Sequence, residues 1–573
     1  MAGMAHEFTI FQRTFHPRDK HIPDPEEYQV DIPMDRASLQ TKMLKVLPSG
    51  FVFGILQARY ISNWEAFLRI LHIPTFMREC DEVAAIKDSD NPALPPHIRD
   101  SLLPQILAVI AIGFRLSDPN DRGTTSEKLS DKQITKNLAM VQRWLDGLSG
   151  KALITMHTLR TRALLLLAHQ ASLTHPLALW HESGSLVRHA MGMGLHKDPE
   201  DCTDLSTFEK EMRRKLWLTI VELDMQISVP VGMPTSVYFN GFTTNPLVNV
   251  DDHDLTEDMV EYPSNKPLTA WTNALPQIAL GFSMTHRLYV TNLLGGNVNL
   301  EHDAPVFLDN ARILEKALRD LPDQFKASTR AGNNSNKRLY RLFTSIMLDM
   351  TIRRPILALY RVISLSSHSN RYPEARKGAL RSALAILAHL DALDPAVADL
   401  NIVKTRDYLN LFQIMCKNDI LQAALIVCFE IRAFNSSSLS FEDNEFGENP
   451  LEPLPEDSFP QTKHSLTRVV ENTVNSLIQR LGEFGSDLKD VLPLSIVLQS
   501  VRSDGTPEEK RELMIKGAER VLFACRKALP SIESAPAQQK TAHGSNLVSL
   551  LLELSFGSST DRLLGSSQRS SNI

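Results

Sequence analysis

Phe208-Glu209-Lys210-Glu211-Met212-Arg213-Arg214-Lys215-Leu216-Trp217-Leu218-Thr219-Ile220-Val221-Glu222-Leu223-Asp224-Met225-Gln226-Ile227-Ser228-Val229 is the stretch on which the fold class turns. Phe208, Met212, Leu216, Ile220, Leu223 and Ile227 step by four or three residues, which at 3.6 residues per turn makes one continuous apolar stripe. Ser206 or Thr207 stands ahead of the stripe, and Glu209 puts negative charge in the first turn, a start signal. Pro230 and Gly232 close it. This is a helix.

The same period recurs on both sides. Leu102 to Leu116 reads as a buried helix entered near Pro104, and Lys151 to Ala171 as another, closed by His175-Pro176. Pro176 pre-sets the entry of a helix from Leu177 to Leu195, with Trp180, Val187 and Met191 at helical spacing. Downstream, helices are expected over 271–294, 304–321, 339–364, 374–393, 404–432, 464–481 and 507–529. Strand signals are few and no fixed-period repeat recurs, so the fold class is all-α, a single large multi-helix domain.

The expected organisation is an extended polar arm over 1–48, a helical domain over 49–432, and an acidic Ser/Pro-rich loop over 433–463. Further helices of the same domain follow over 464–530, then a flexible tail over 531–573. Phe434 to Gln461 contains no Lys or Arg. Within it Phe441, Phe446, Leu451, Leu454 and Phe459 alternate with carboxylates, a composition that suits an activation segment. A solvated loop between helices is the preferred reading, because more helices follow.

The 573 residues are 43% hydrophobic and 22% charged, with only 25 Gly, which disfavours a Gly-punctuated α/β enzyme. With 61 Lys+Arg against 67 Asp+Glu the net charge is −6, so the chain as a whole has no basic footprint for nucleic acid. Cys80, Cys202, Cys416, Cys428 and Cys525 are too widely spaced for a zinc knuckle and suit free thiols in a reducing compartment. The first fifteen residues have no apolar core of a signal peptide, and no apolar run is long enough to span a bilayer. A soluble intracellular protein without a membrane partner is expected.

No catalytic motif emerges. Gly192-Met193-Gly194 begins like a dinucleotide loop but lacks the third glycine and ends a helix instead of opening one. His181 and His189 are eight residues apart on one helix, about 12 Å, too far to share a metal. Arg213-Arg214-Lys215, with Glu209 and Glu211 nearby, is expected to be a solvated face with i,i+4 pairs. Asp224 stands among apolar neighbours; if buried, it needs a partner from another helix. The chain is not expected to be an enzyme, to bind a metal or to carry a cofactor.

Three blocks taken together point to a family. One runs Trp180 to Pro199 and ends Gly194-Leu195-His196-Lys197-Asp198-Pro199; the second is the 208–219 helix, with Asp224 and Gly232-Met233-Pro234-Thr235 after it. The third is Asn245-Pro246-Leu247-Val248-Asn249-Val250-Asp251-Asp252. In this order they resemble the fungal-specific transcription factor domain, the helical middle region of binuclear zinc-cluster regulators. Leu71-His72-Ile73-Pro74-Thr75-Phe76 upstream and Arg353-Arg354-Pro355-Ile356-Leu357 downstream are similar to its flanking elements, so the resemblance spans about residues 50–430. Lys197, Met233 and Ile73 stand where the family pattern has arginine.

The resemblance implies architecture, not catalysis. Phe208, Leu216, Trp217 and Asp224 become core or helix-pairing positions, His196 and Asp198 fix a turn, and Pro74 and Pro234 end helices. His72, Trp180, Gly194, Arg213, Arg214 and Gly232 complete the motif set. It also implies a nuclear transcriptional regulator of metabolic or biosynthetic-cluster genes, open to an effector or partner between helices. The family's six-cysteine DNA-reading cluster, basic linker and coiled coil are not in this sequence, whose first cysteine is Cys80. Direct DNA binding by these residues is therefore not expected, and a DNA-binding partner or coactivator is. Three readings stay open: a finger-less regulator acting through that partner, exons lost upstream of Met1, or a cytosolic helical binding or scaffold protein derived from the domain.

Overall fold

The computed structural model describes residues 36–87, 95, 101–117, 129–326, 335–394, 405–436, 462–481, 483 and 488–528. Of the arm expected over 1–48, residues 1–35 lie outside them, as do the segment carrying Phe441, Phe446, Leu451, Leu454 and Phe459 and the tail. The rest of that arm is not extended, since Arg36–Lys45 form a helix that buries Leu39, Met43 and Leu44. Among the described residues there is no strand, and none of their helices is long and apolar enough to cross a membrane. The first eight helices are α1 (Arg36–Lys45), α2 (Gly50–Asn63), α3 (Ile73–Lys87), α4 (Leu103–Leu116), α5 (Asp131–Asp146), α6 (Met156–Ala171), α7 (Pro176–Gly192) and α8 (Thr207–Val231). After them come α9 (Leu275–Leu294), α10 (Leu300–Arg319), α11 (Asp323–Lys326), α12 (Ser335–Ser364), α13 (Pro373–Leu393) and α14 (Thr405–Ser436). The last three are α15 (Lys463–Gln479), α16 (Leu488–Arg502) and α17 (Pro507–Ala528). The protein is all-α.

The helices gather into two compact units. Among the described residues, the larger takes in those from 36 to 382 together with 392–394 and 405–419, and the smaller those at 383–391 and from 420 onward. In the smaller unit α16 and α17 pack on each other around Val491, Leu492, Ile496, Val521, Leu522 and Cys525. The sequence reading missed α16, because Pro493 falls inside it. Pro493 is the sixth residue of that helix, past its first turn, and so forgoes the bond to the Lys489 carbonyl.

In the larger unit α4 is buried along its whole length, from Leu103 to Leu116, as its all-round apolar sequence requires. It packs against α2, α5 and α6. Gly113 lets α2 approach: a Cβ there would lie 2.2 Å from the Leu56 carbonyl oxygen. Gly113→Val should therefore force the two backbones apart and cost about 1–3 kcal/mol or more, read as a lower urea midpoint with an unchanged slope.

The start of α8 is the capping box its sequence announced. The Ser206 hydroxyl accepts from the Glu209 N–H, and the Glu209 carboxylate accepts from the Ser206 N–H. Gly232 caps the other end at φ 64°, a left-handed position that suits glycine. What the stripe did not announce is how much of this helix is covered. Besides Leu216, Trp217 and Ile220, the polar residues Glu211, Arg214, Lys215, Thr219, Glu222 and Asp224 are buried, because α6, α7, α9 and α12 all pack on α8. The expected solvated face with i,i+4 pairs is thus corrected. Arg214 and Lys215 are buried and their main partners lie elsewhere in the chain, leaving only Arg213 of the run half-buried.

Two more expectations change. Pro74 stands in the first turn of α3 and opens that helix instead of ending one, consistent with proline's tolerance there. The helix expected over 151–171 divides into a 3-10 turn at Gly150–Ile154 and α6, whose N-cap Thr155 accepts from the Thr158 N–H. Pro234 does follow the end of α8, and Gly194, at φ 84°, turns the chain after α7.

Candidate functional site

The chain leaves α2 through Trp64-Glu65-Ala66-Phe67-Leu68-Arg69-Ile70-Leu71-His72, a buried segment. Glu65 clamps it from within: one carboxylate oxygen accepts from Tyr60 Oη at 2.6 Å, Ile70 N at 3.0 Å and Leu71 N at 2.8 Å. Burial pushes the Glu65 carboxyl and the Tyr60 phenol upward in pKa. Arg69, next along, ion-pairs with the buried Asp252 carboxylate from the far 245–252 motif.

Lys215 of α8 completes the group. Its Nζ lies 3.2 Å from both Asp252 carboxylate oxygens and donates to the Leu71 carbonyl at 2.5 Å. His72 Nε2 contacts the Asp252 carbonyl at 2.7 Å, and its Nδ1 contacts Thr75 Oγ1 at 2.8 Å. From α9, Gln277 donates to the Lys215 carbonyl and to Thr219 Oγ1, which itself donates to the Arg69 carbonyl at 2.8 Å. Burial, then Arg69, brings the Lys215 ammonium down to a pKa of about 8. Burial would raise the Asp252 carboxyl, but Lys215 and Arg69 outweigh it and hold it well below the usual carboxylate range.

This site joins segments far apart in the chain: Lys215 and Leu71 are 144 residues apart, Arg69 and Asp252 183. Three of the motif blocks quoted above, around His72, Lys215 and Asp252, meet here. The other motif residues pair in the same manner. Arg214 binds Asp198 through Nε at 3.1 Å and Nη2 at 2.7 Å, and Glu200 at 2.6 Å. Asp198 also accepts from the Asn245 and Glu200 amides, which pins the turn after α7. Trp180 Nε1 donates to the Pro234 carbonyl at 2.9 Å. Asp224 is fully buried and accepts from Ser183 Oγ on α7 at 2.9 Å and from the Ser236 amide at 2.6 Å, so its partners are a hydroxyl and an amide. Trp217 is enclosed beside the His196 and Phe242 rings. Phe208, only half-buried, meets the His72 ring edge-on at 5.0 Å.

Sequence reasoning singled out His72, Arg214 and Asp224 but not Arg69, Glu65, Lys215 or Asp252 as a group. The available signal was a charge inside an otherwise apolar run, as with Arg69 between Leu68 and Ile70. The downstream motif behaves alike: Arg354 is buried against Asp419, at 2.7 Å, and the Met415 carbonyl.

Asp251, His253 and Asp254 bring oxygen and nitrogen atoms close enough for a cation. Lys266 already fills that role, its Nζ 3.0 Å from Asp251 and 2.8 Å from Asp254. All five cysteines are free; Cys202 is exposed and the other four buried.

Residues 58–280 match the family model described as the fungal specific transcription factor domain. The chain is 28% identical over 355 residues to transcription factor opdR of Penicillium oxalicum, covering 61% of this chain and 43% of that protein. To transcription factor lepE of Aspergillus flavus it is 24% identical over 527 residues, 89% of this chain and 60% of the other. To the equisetin cluster transcription factor eqxF of Fusarium heterosporum it is 24% identical over 440 residues, 73% and 60% of the two chains. The chain thus spans about half the length of the curated relatives it matches. No solved structure matches. The matched family and these relatives are transcription factors, not enzymes, and the motifs that pair around α8 all lie within or beside the matched region. Over residues 58–280 the chain thus resembles the fungal specific transcription factor domain.

Proposed function

We propose that the protein is a nuclear transcriptional regulator of a biosynthetic gene cluster, and that its helical domain is the regulatory part. The observation that supports this most directly is how the motif residues of the matched region are used. Asp198, Arg214, Lys215, Asp224 and Asp252 spend their charges on one another or on nearby backbone and hydroxyl groups, as a framework does. Several relatives are named for the metabolite cluster they serve, which supports the cluster assignment. These 573 residues contain five scattered cysteines, one short of a six-cysteine cluster. In this reading DNA is contacted by a partner protein, and the helical domain recruits or restrains that partner.

Deleting the gene and sequencing the transcriptome is the test. Coordinated loss of one contiguous gene set, with a fluorescently tagged copy in nuclei, is the expected result. A transcriptome without such a set, or a tag confined to the cytosol, would sink the regulator. The purified chain shifting a promoter fragment by itself would overturn the reliance on a partner.

A further inference from the structure

Next to the Asp252 network, α3, α6, α8 and the turn after α7 surround a cavity of about 390 Å3. Its apolar wall is built from Phe76, Met156, Met193, Phe208 and Met212, two aromatic rings and three adaptable thioethers. Two guanidiniums also line it, Arg160 of α6 and Arg213 of α8. Arg160 Nε is buried without a hydrogen-bond partner. Among the described residues, neither arginine makes a hydrogen bond or a close ion pair. Burial lowers the Arg160 pKa, so its charge is held at a cost the surrounding carboxylates do not fully offset.

The remaining polar groups of the wall are engaged or neutral. Glu209 is tied into the α8 capping box, and Glu257 accepts from Thr75 Oγ1 and Arg78 Nη2, both at 3.1 Å. The His72 ring is bonded on both sides, and the exposed His157, beside the Arg160 guanidinium, has its pKa lowered, so it is neutral at physiological pH. What is left for an occupant is an anion-binding fork beside an apolar wall. Glu79, Glu209 and Glu257 also line the space, and three carboxylates penalise a second negative charge on the occupant. That disfavours a phosphate dianion and favours a single carboxylate.

We propose that this cavity binds a small monocarboxylate with an apolar body of roughly ten to twenty non-hydrogen atoms, the carboxylate held by Arg160 with Arg213 beside it. An occupant would touch His72 and so bear on the segment that joins Asp252 to α3. In a regulator it is an effector site; the binding itself does not depend on the regulator reading, and failure of one leaves the other standing.

The test uses the purified full chain and saturation-transfer NMR. The probes are 3-phenylpropanoate, 5-phenylpentanoate, octanoate and decanoate, each beside its primary amide. At least one acid should bind saturably and roughly tenfold more tightly than its amide, the worth of one charge-assisted bond to a carboxylate. Arg160→Met should abolish that preference while leaving the weak binding of the amide. It should fold, since Arg160 is half-buried and has no close ion-pair partner to strand, and a thermal melt checks this. Should it not fold, Arg213→Met is read instead, with a smaller loss of the same preference. Met193→Phe, which fills the space, should reduce acid and amide together. The proposal is overturned if none of the four acids binds, if acid and amide bind equally, or if the folded arginine variant keeps the preference.

Discussion

Asp252→Asn should lower the unfolding free energy by about 3–5 kcal/mol, the range seen when one member of a buried ion pair is removed. The variant leaves the Arg69 guanidinium and the Lys215 ammonium side by side in the interior, with no anion between them. Chemical denaturation followed by circular dichroism reads the loss directly. A change under about 1 kcal/mol would mean that water reaches the site and that the three charges are screened. The pH dependence gives a second reading. The folded-state pKa of Asp252 lies below its unfolded value, near 3.9, so its stabilisation is present above that pH and drains away as the pH falls toward the folded value. Wild type should lose stability below about pH 4, and Asp252→Asn should lose measurably less over the same interval.

The second large effect is expected between α8 and α9. Arg287 meets Glu222 in a two-pronged pair, Nη1–Oε1 at 2.9 Å and Nη2–Oε2 at 2.8 Å, with both side chains almost wholly buried. Ser283 and the Leu280 carbonyl hold the guanidinium from its own helix, and Gln226 donates to Glu222. Glu222→Gln and Arg287→Met should each cost about 3–5 kcal/mol, because each strands the other partner. The double variant Glu222→Leu, Arg287→Met strands neither and should be more stable than either single variant. Equal losses in all three would show that packing, not charge, sets the cost.

The helices were legible because their cause is local. The period of Phe208 to Ile227, the Ser206–Glu209 box and Gly232 act within a few residues of one another, and the structure places α8 within two residues of its expected ends. The need of Asp224 for a partner on another helix was legible too, from one carboxylate among apolar neighbours. The neighbourhood of Lys215 was not. Next to two arginines and close to Glu211 it reads as surface, and only a carboxylate 37 residues further on and a carbonyl 144 residues back make its burial tolerable. Nor did spacing within any one segment hint at the cavity, whose wall is drawn from four helices and the connections between them. Pro74 and Pro493 show a smaller limit: one opens a helix that it was expected to end and the other lies within its helix, so a proline alone does not place a helix end.

The long chain separations inside the Asp252 network bear on how this protein can be dissected. A fragment ending anywhere between α8 and Asp252 keeps Arg69 and Lys215 but discards the anion that makes their burial affordable. One beginning after Arg69 discards a cation instead and unfastens the segment that Glu65 clamps. Either truncation should yield a misfolded, degraded polypeptide. Deletion series that place an activating or inhibitory region inside residues 65–252 would then be scoring loss of the fold as loss of a function.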